Sequence, residues 1–279
     1  ESSRQSKVSA QHIAFIQLSG GTTGLPKLIA RTHADYLYSV KQSAEVAQLN
    51  SQTKQLIVLP AMHNFTMSSP GFLGNFYVGG SVFLSTDSSP ANCFALIEKY
   101  RITQVSLVPA LINLWINSPM LDKFDLSSLE VIQVGGSKLL PELAERIIQR
   151  LNVTLQQVYG MAEGLVNFTR LNDDKQTIIH TQGKRLSPFD EIMIADDQGN
   201  PLPPETPGHI LTRGPYTING YYNLEAVNRK NFTPDGFYKT GDMGYLDSQN
   251  NIVVTGREKE QINRAGEKIT PSEIENLIL

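Results

Sequence analysis

The feature that most constrains this chain is a rhythm between residues 55 and 160. Short apolar runs, "QLIVLP", "SVFLST", "TQVSLVP", "LEVIQVGG" and "VTLQQVYG", alternate with helical patterns such as "NCFALIEKY", "ALINLWIN" and "PELAERIIQRL". Strands separated by helices return to the sheet in the same direction. The alternation therefore predicts an α/β core, a largely parallel sheet covered by helices.

Two further strands are predicted upstream, "HIAFIQLS" and "KLIARTH", joined by a glycine-rich loop. After them "ADYLYSVKQSAEVAQL" places Leu37, Val40, Ala44 and Ala47 on one helical face, with Thr32 as the cap. Near Ser187 the character changes. "DDQGNPLPPETPG", "RGPYTINGYYN" and "LDSQNNIVV" set Gly, Pro and Asn turns between short alternating strands, which predicts a smaller β-rich subdomain. The chain ends in a charged, glycine-bearing loop and then "TPSEIENLIL", where Thr270 caps a helix, Pro271 takes its first position and Glu273 completes the capping box. The divisions expected are 1–186, 187–257 and 258–279. The first residue is Glu1 and the last helical pattern breaks off, so the sequence reads as a piece of something longer.

Over 279 residues, 40% hydrophobic and 18% charged with net charge -3, there is no basic surplus for nucleic acid or an anionic membrane surface. The single cysteine, Cys93, can form no internal disulfide and has no ligand cluster around it; it is expected in the core of a protein from a reducing compartment. No apolar stretch reaches the roughly eighteen residues of a membrane span, and the polar start lacks a signal-peptide segment. A cytoplasmic location is the expectation.

The loop between the first two strands, "LSGGTTGLPK" at 18–27, has a definite chemistry. Gly20, Gly21 and Gly24 let successive backbone N–H groups converge on an anion. Ser19, Thr22 and Thr23 add hydroxyl donors, and Lys27 adds a positive charge. A Walker loop would need Gly-Lys-Ser/Thr opening a helix; here Leu25 and Pro26 intervene and a strand follows. On composition alone an ordinary surface turn and a polyphosphate cradle both remain open.

Four companion stretches decide between them: "QVYGMAEG" at 157–164, "GHILTRGPYTINGYYN" at 208–223, "YKTGDMG" at 238–244 and "GREKEQINRAGEKITPSEIE" at 256–275. In this order, with "SGGTTGLPK", they resemble the core motifs of the ANL adenylate-forming superfamily: acyl-CoA synthetases, adenylation domains of non-ribosomal peptide synthetases, and luciferases. The resemblance covers the chain from Ile13 onward. It implies the parallel-rich core of the large domain, then a β-rich subdomain, then the truncated start of the small C-terminal domain. Within the superfamily, "LPAMHNFTMSSPGFLG" and "YGMAEGLVNFTRL" resemble the stand-alone aryl-acid ligases of siderophore biosynthesis, the 2,3-dihydroxybenzoate-AMP ligases.

The resemblance implies a reaction and a site. An aryl carboxylate attacks the α-phosphorus of ATP, and the acyl group then passes to the pantetheine thiol of an aryl carrier protein. Two anions must meet, so a cation and fixed donors should dominate catalysis. Ser19 to Gly24 and Lys27 would cradle the β and γ phosphates, and Glu163 would hold Mg2+, a hard cation suited to carboxylate and phosphate oxygens. Asp242 would accept from the ribose hydroxyls and Arg257 would reach the ribose or phosphates. Gly135, Gly136 and Ser137, with Tyr159 opposite, would form the adenine slot, with Gly160, Met161, Ala162 and Val254 also against the nucleotide and Lys259 at the hinge. His63 would lie beside the aryl carboxylate, Asn64 and Ser69 near ring hydroxyls, and Phe65, Val158 and Val166 around the ring. The neutral pair His63-Asn64 suits an acid that carries no amine. Family members selective for salicylate tend to have cysteine where Ser69 stands, so serine points to 2,3-dihydroxybenzoate.

Three departures from the superfamily pattern stand out. Ala162 replaces the common threonine, as the aryl-acid branch also does. Glu260 follows Lys259 where aspartate is usual. The C-terminal lysine that contacts the acyl phosphate is absent from this stretch, and loss of one such donor costs about 10²–10³ in rate, so the chain alone is expected to be slow or inactive. The alternatives are a salicylate-AMP ligase, an arylate- or acyl-CoA ligase using free coenzyme A, and a non-catalytic binding module built on the same fold.

Overall fold

Strand and helix order follows the alternation of apolar runs. In a computed structural model, residues 8–18 and 26–258 are described, with the backbone of Ile262–Arg264 and Glu267–Ile269. The chain opens with an antiparallel pair, β1 (Ile13–Leu18) and β2 (Leu28–Thr32), which flank the glycine-rich loop. Helix α1 (His33–Val46) starts at Thr32, whose hydroxyl accepts from the Asp35 N–H while the Asp35 carboxylate accepts from the Thr32 N–H, a closed capping box. Its buried face is Tyr36, Ser39, Val40, Ser43 and Ala44, continued by Ala47. Val40, Ala44 and Ala47 of the predicted face are buried, but Leu37 is 48% exposed: Tyr36 takes the inward position in its place and packs its ring edge-on against Phe15.

Then come β3 (Lys54–Ile57), α2 (Asn64–Ser68), α3 (Gly71–Val78), β4 (Ser81–Leu84), α4 (Pro90–Tyr100), β5 (Gln104–Leu107), α5 (Pro109–Ile116), β6 (Val131–Gly135), α6 (Pro141–Leu151) and β7 (Thr154–Gly160). Prolines at the starts of α4, α5 and α6 take the position where no N–H is needed. Strands β8 (Val166–Phe168) and β9 (Lys184–Arg185) follow, with α7 (Lys175–His180) between them. Together they build a seven-stranded sheet in the order β4-β3-β5-β6-β7-β8-β9, parallel through β7 and antiparallel beyond it. The predicted parallel-rich sheet is present.

Alternation gives this sheet two different faces. Leu56, Val105, Leu107, Ile132, Val134 and Leu155 point into a core with Phe94, Ile97, Trp115 and Ile147 of the covering helices, and Cys93 is buried there as expected, its thiol pushed up to about 12 by burial. The opposite face carries a buried row of polar side chains. Gln55 Nε2 donates to Ser106 Oγ (3.2 Å), Ser106 to Gln133 Oε1 (2.9 Å), Gln133 Nε2 to Gln156 Oε1 (2.8 Å) and Gln156 Nε2 to the Thr169 carbonyl (2.9 Å). Asn75 of α3 donates to Gln55 at the other end.

The remaining strands, β10 (Glu191–Ala195), β11 (Gly208–Arg213), β12 (Tyr238–Leu246) and β13 (Ile252–Arg257), form an antiparallel sheet in that order, with α8 (Glu225–Asn231) between β11 and β12. A final pair, β14 (Ile262–Arg264) and β15 (Glu267–Ile269), is antiparallel. Gln182 connects the two large sheets: its Nε2 donates to Gln157 Oε1 of β7 (3.3 Å), and its Oε1 accepts from the Val254 N–H of β13 (2.8 Å). Asp190 makes a second junction. Its Oδ2 accepts from the Tyr216 hydroxyl (2.6 Å) and the Ser187 N–H (3.1 Å), and that Tyr216 oxygen accepts from the Val166 N–H (3.2 Å). No described helix is long and apolar enough to cross a membrane.

Two stability measurements follow from these junctions. Gln133→Leu strands the Ser106 proton and the Gln156 amide oxygen inside the sheet, and a loss of about 1–3 kcal/mol in urea unfolding is expected. Burial pushes the Asp190 carboxyl up from 3.8 to about 6, against the lowering effect of Tyr216, Ser187 and Arg185. Between those values the folded chain keeps a proton that the unfolded chain has released, so the carboxyl's contribution to stability falls as pH rises through this window and is level above it. Asp190→Asn should therefore gain on the native protein as pH goes from about 4 to about 6 and hold a constant difference beyond; a difference independent of pH would refute the assignment.

Candidate active site

Most of the residues singled out in the sequence follow the carboxyl ends of parallel strands, where open α/β sheets leave a crevice for ligands. His63 and Asn64 come after β3, Gly135 to Ser137 close β6, and Tyr159 to Glu163 close β7. The turn from β7 into β8 is the centre. Val158 and Tyr159 are consecutive in β7 and so face opposite ways. Val158 packs with Phe65, Val166, Phe168, Leu186 and Tyr216, while the Tyr159 hydroxyl donates to Asp242 Oδ2 at 2.8 Å on the other side. Gly135 lies opposite Val158 in the adjoining strand, and a Cβ there would press on the Val158 carbonyl and the Phe65 ring. The room its missing side chain leaves is taken by that packing, whereas Gly136 and Ser137 are exposed.

Glu163 is buried and held from several directions. Arg31 of β2, itself 1% exposed, donates through Nη1 to the Ala162 carbonyl (2.7 Å). The Ile218 N–H donates to the Glu163 carbonyl (2.8 Å), and Gly164 lies so close to Thr217 that any Cβ would overlap it. Tyr221 donates its hydroxyl proton to Glu163 Oε1 (2.9 Å) and stands 3.0 Å from the Tyr238 hydroxyl. Lys27, at the exit of the glycine-rich loop, places Nζ 3.4 Å from the Tyr221 oxygen and 3.3 Å from Asn231 Oδ1. Burial, and then the Glu163 charge, holds both phenols well above their ordinary range. Among the described residues no group of three His, Cys, Asp or Glu could hold a metal. A lone carboxylate with one oxygen engaged by a hydroxyl fits Mg2+, which takes one or two protein oxygens and completes its shell with water and phosphate.

Asp242 is the second buried carboxylate, and it pairs across the strands with Arg257, Nε to Oδ1 at 3.0 Å. Burial raises its pKa, and Tyr159 and Arg257 pull the other way. Val254 is tied by its N–H to Gln182, in the segment between α7 and β9. In the proposed acid pocket, His63 is exposed and caps α2, its Nδ1 accepting from the Phe65 N–H at 3.3 Å, so the ring proton sits on Nε2. Asn64 accepts from the Tyr36 hydroxyl (3.0 Å) and reaches the Met161 carbonyl (3.5 Å). Ser69 is buried at the end of α2.

Lys27, Glu163, Tyr159, Asp242 and Arg257 thus form two linked polar clusters, and Phe65, Val158 and Val166 one apolar wall. Gly160, Met161 and Ala162 lie in the turn between them. Ser19, Gly20, Gly21, Thr22, Thr23, Gly24, Lys259, Glu260 and the predicted cap at Thr270 fall outside the described residues. The sequence reading missed Arg31, Tyr216, Tyr221, Tyr238 and Asn231. Tyr216 and Tyr221 stand inside the motif at 208–223 and Tyr238 inside that at 238–244, and Arg31 is a charge at an inward position of a strand.

The sequence pattern of the family described as "AMP-binding enzyme" matches residues 1–222. Over 273 residues the chain is 52% identical to the 2,3-dihydroxybenzoate-AMP ligase of Bacillus subtilis, covering 98% of this chain and 51% of that protein. Over 266 residues it is 47% identical to the salicyl-AMP ligase / salicyl-S-ArCP synthetase of Mycobacterium tuberculosis, covering 95% and 47%. Among solved structures, the O-succinylbenzoate coenzyme A synthetase of Bacillus subtilis in complex with ATP and magnesium ion superposes with a TM-score of 0.85 at 27% identity, covering 97% of this chain and 55% of that one. The chain spans about half the length of the curated relatives it matches. With the ordered motifs, the parallel-rich sheet and these likenesses in agreement, the chain belongs to the AMP-binding family of ANL adenylate-forming enzymes.

Proposed function

We propose that the protein carrying this chain activates an aryl acid, 2,3-dihydroxybenzoate by preference, with ATP, and passes the acyl group to the pantetheine thiol of an aryl carrier protein in siderophore biosynthesis. The observation that carries the reading is the turn from β7 into β8. A single turn has an apolar wall on one side, at Val158 and Val166, and on the other a tyrosine bonded to a buried aspartate, with a buried carboxylate between. A flat acid and a nucleotide would thereby meet at Glu163.

In this reading one carboxylate oxygen of the acid bonds to the α-phosphorus as the bond to the β-phosphate oxygen breaks, and pyrophosphate leaves with the electron pair. Mg2+ held by Glu163 would neutralise phosphate charge. Lys27 would stand at the phosphates, and His63 would offer its Nε2 proton to the acid's carboxylate. Asp242, braced by Tyr159 and Arg257, would accept from the ribose hydroxyls, a role that calls for an ionised acceptor. Asn64 and Ser69 would face the ring hydroxyls, and a polar pocket rejects an analogue that leaves its groups unpaired. Relatives named for dihydroxybenzoate and for salicylate differ by only five points of identity to this chain (52% and 47%), so the choice of acid rests on Ser69.

ATP–pyrophosphate exchange by the complete protein, with 2,3-dihydroxybenzoate, salicylate, benzoate and a fatty acid in parallel, tests the reading. Strong exchange with the dihydroxy acid and weaker exchange with salicylate is the expected order. Salicylate leading would overturn the role of Ser69, and exchange with the fatty acid alone would overturn the aryl assignment. Absence of exchange with all four would favour a binding module. Glu163→Gln should lower the exchange rate by about 10² or more while leaving unfolding by urea nearly unchanged.

A further inference from the structure

Tyr221 makes three polar contacts through one oxygen, and its chemistry allows only one arrangement of protons. A phenol has one proton to donate and two lone pairs to accept with. The ionised carboxylate of Glu163 can only accept, so the 2.9 Å contact uses the phenol proton. The ammonium of Lys27 can only donate, so the 3.4 Å contact uses a lone pair. The 3.0 Å contact with Tyr238 must then run from Tyr238 to Tyr221 and use the other lone pair. The hydroxyl is saturated, and the chain of donors runs from a cation to an anion.

The ring is fixed independently of these bonds. It is buried with Ile29, Ile218 and Tyr238 and meets the Phe232 and Tyr238 rings edge-on. The backbone of Tyr221 is clamped by Asn228 of α8, which accepts from its N–H (2.8 Å) and donates to its carbonyl (2.9 Å). Lys27 Nζ lies 4.5 Å from the ring centroid, farther than from the oxygen, so the ammonium stands off the hydroxyl end of the ring and not over its middle. The loop that carries Tyr221 also holds the Glu163 main chain through Ile218. Glu163 is thus gripped twice by one loop, once at its backbone and once at its carboxylate.

We infer that Tyr221 is a positioning residue: its single hydroxyl joins Lys27 to Glu163, setting the carboxylate for a divalent cation and the ammonium for the phosphates that cation accompanies. The inference rests on the proposed adenylating function. Tyr221 touches no reacting atom and acts only through these two partners. A donor held in place before the ligand arrives costs no reorganisation when it does.

The test uses the complete protein, with Mn2+ as the probe cation, ATP present and aryl acid absent, bound and free Mn2+ being counted by electron paramagnetic resonance. Tyr221→Phe keeps the ring and removes the oxygen. It should weaken binding of the Mn2+–ATP pair by about tenfold to a hundredfold, the range for one hydrogen bond to a charged group, and raise the KM for ATP in exchange by a similar factor. Its melting temperature should stay within about 4 °C of the native protein. In a Glu163→Gln background the same substitution should cost less than about threefold, because the carboxylate through which it acts is gone. Equal losses in both backgrounds, or native Mn2+–ATP binding by Tyr221→Phe, would overturn the inference. Should the phenylalanine variant not fold, fluorotyrosines at position 221 keep the hydroxyl while its acidity rises in steps; Mn2+–ATP affinity must then follow that acidity, and a flat response would overturn it as well. A native protein that neither exchanges pyrophosphate nor binds Mn2+–ATP would instead count against the proposed function, so the two failures are distinguishable.

Discussion

A guanidinium at the end of β2 holds the site's segments together. Arg31 is 1% exposed, and a charge removed from water must find a counter-charge and partners for its donors or the chain does not fold around it. Nε pairs with Asp35 Oδ1 at 2.9 Å, Nη1 takes the Ala162 carbonyl and Nη2 the Tyr216 carbonyl, with the Tyr36 ring beside it at 4.9 Å. These partners come from α1, from the turn that carries Glu163 and from the loop after β11. Asp35 is shared, since its other oxygen accepts from the Thr32 N–H and hydroxyl at the start of α1. The strand leaving the glycine-rich loop, the first turn of α1 and the two segments around Glu163 are therefore fixed relative to one another by a single side chain. Lys27 stands one residue before that strand and four before Arg31, so the same anchored segment places the loop's cation.

The parallel sheet supplies the frame for that arrangement, and its register is unusually well specified. Apolar faces alone tolerate sliding, because one leucine replaces another at little cost. The row Gln55, Ser106, Gln133 and Gln156 does not, since each side chain donates to the next and a slip would leave several buried amides without partners. The row ends at the Thr169 carbonyl, one residue past β8. The strand that carries Val166 is thereby tied to the strands that deliver His63 and Gly135, and the apolar wall inherits the precision of the amide row.

Sequence made some of this legible, for identifiable reasons. Parallel strands announce themselves because both their faces are buried, and the helices between them carry proline at the first position. Thr32 was readable as a cap because its role is local. Leu37 is misplaced because residues 36 and 37 both border the face of Val40, Ala44 and Ala47, and contacts distant in sequence, with Asn64, Met67 and Phe72, bring Tyr36 inward. Asp190, Tyr216 and Tyr221 could not be read from spacing, since their partners lie 26 and 58 residues away in sequence. Arg31 left a trace: in "LIART" it shares the inward phase with Ile29, and a charge there calls for a buried partner.

The turn between β7 and β8 makes the two halves of the site dependent on backbone phase. Val158 and Tyr159 differ by one position, and a one-residue slip in β7 would turn the tyrosine into the apolar wall and the valine toward Asp242. The apolar cluster and the Tyr159–Asp242 contact would be lost together, so neither can tolerate an insertion that the other could absorb. The register against β6, with Val158 opposite Gly135, guards against such a slip: the place where a Cβ would stand on residue 135 is already filled by Val158 and Phe65. A glycine at 135 is thus required by the packing of Val158 and Phe65. Changes at 158 can reshape the apolar cluster while leaving Tyr159 where it is, because side chains on opposite faces of a strand share a backbone and little else. In the reading proposed above, that independence would let the choice of acid change at Val158, Val166 and Ser69 while the nucleotide contacts stay.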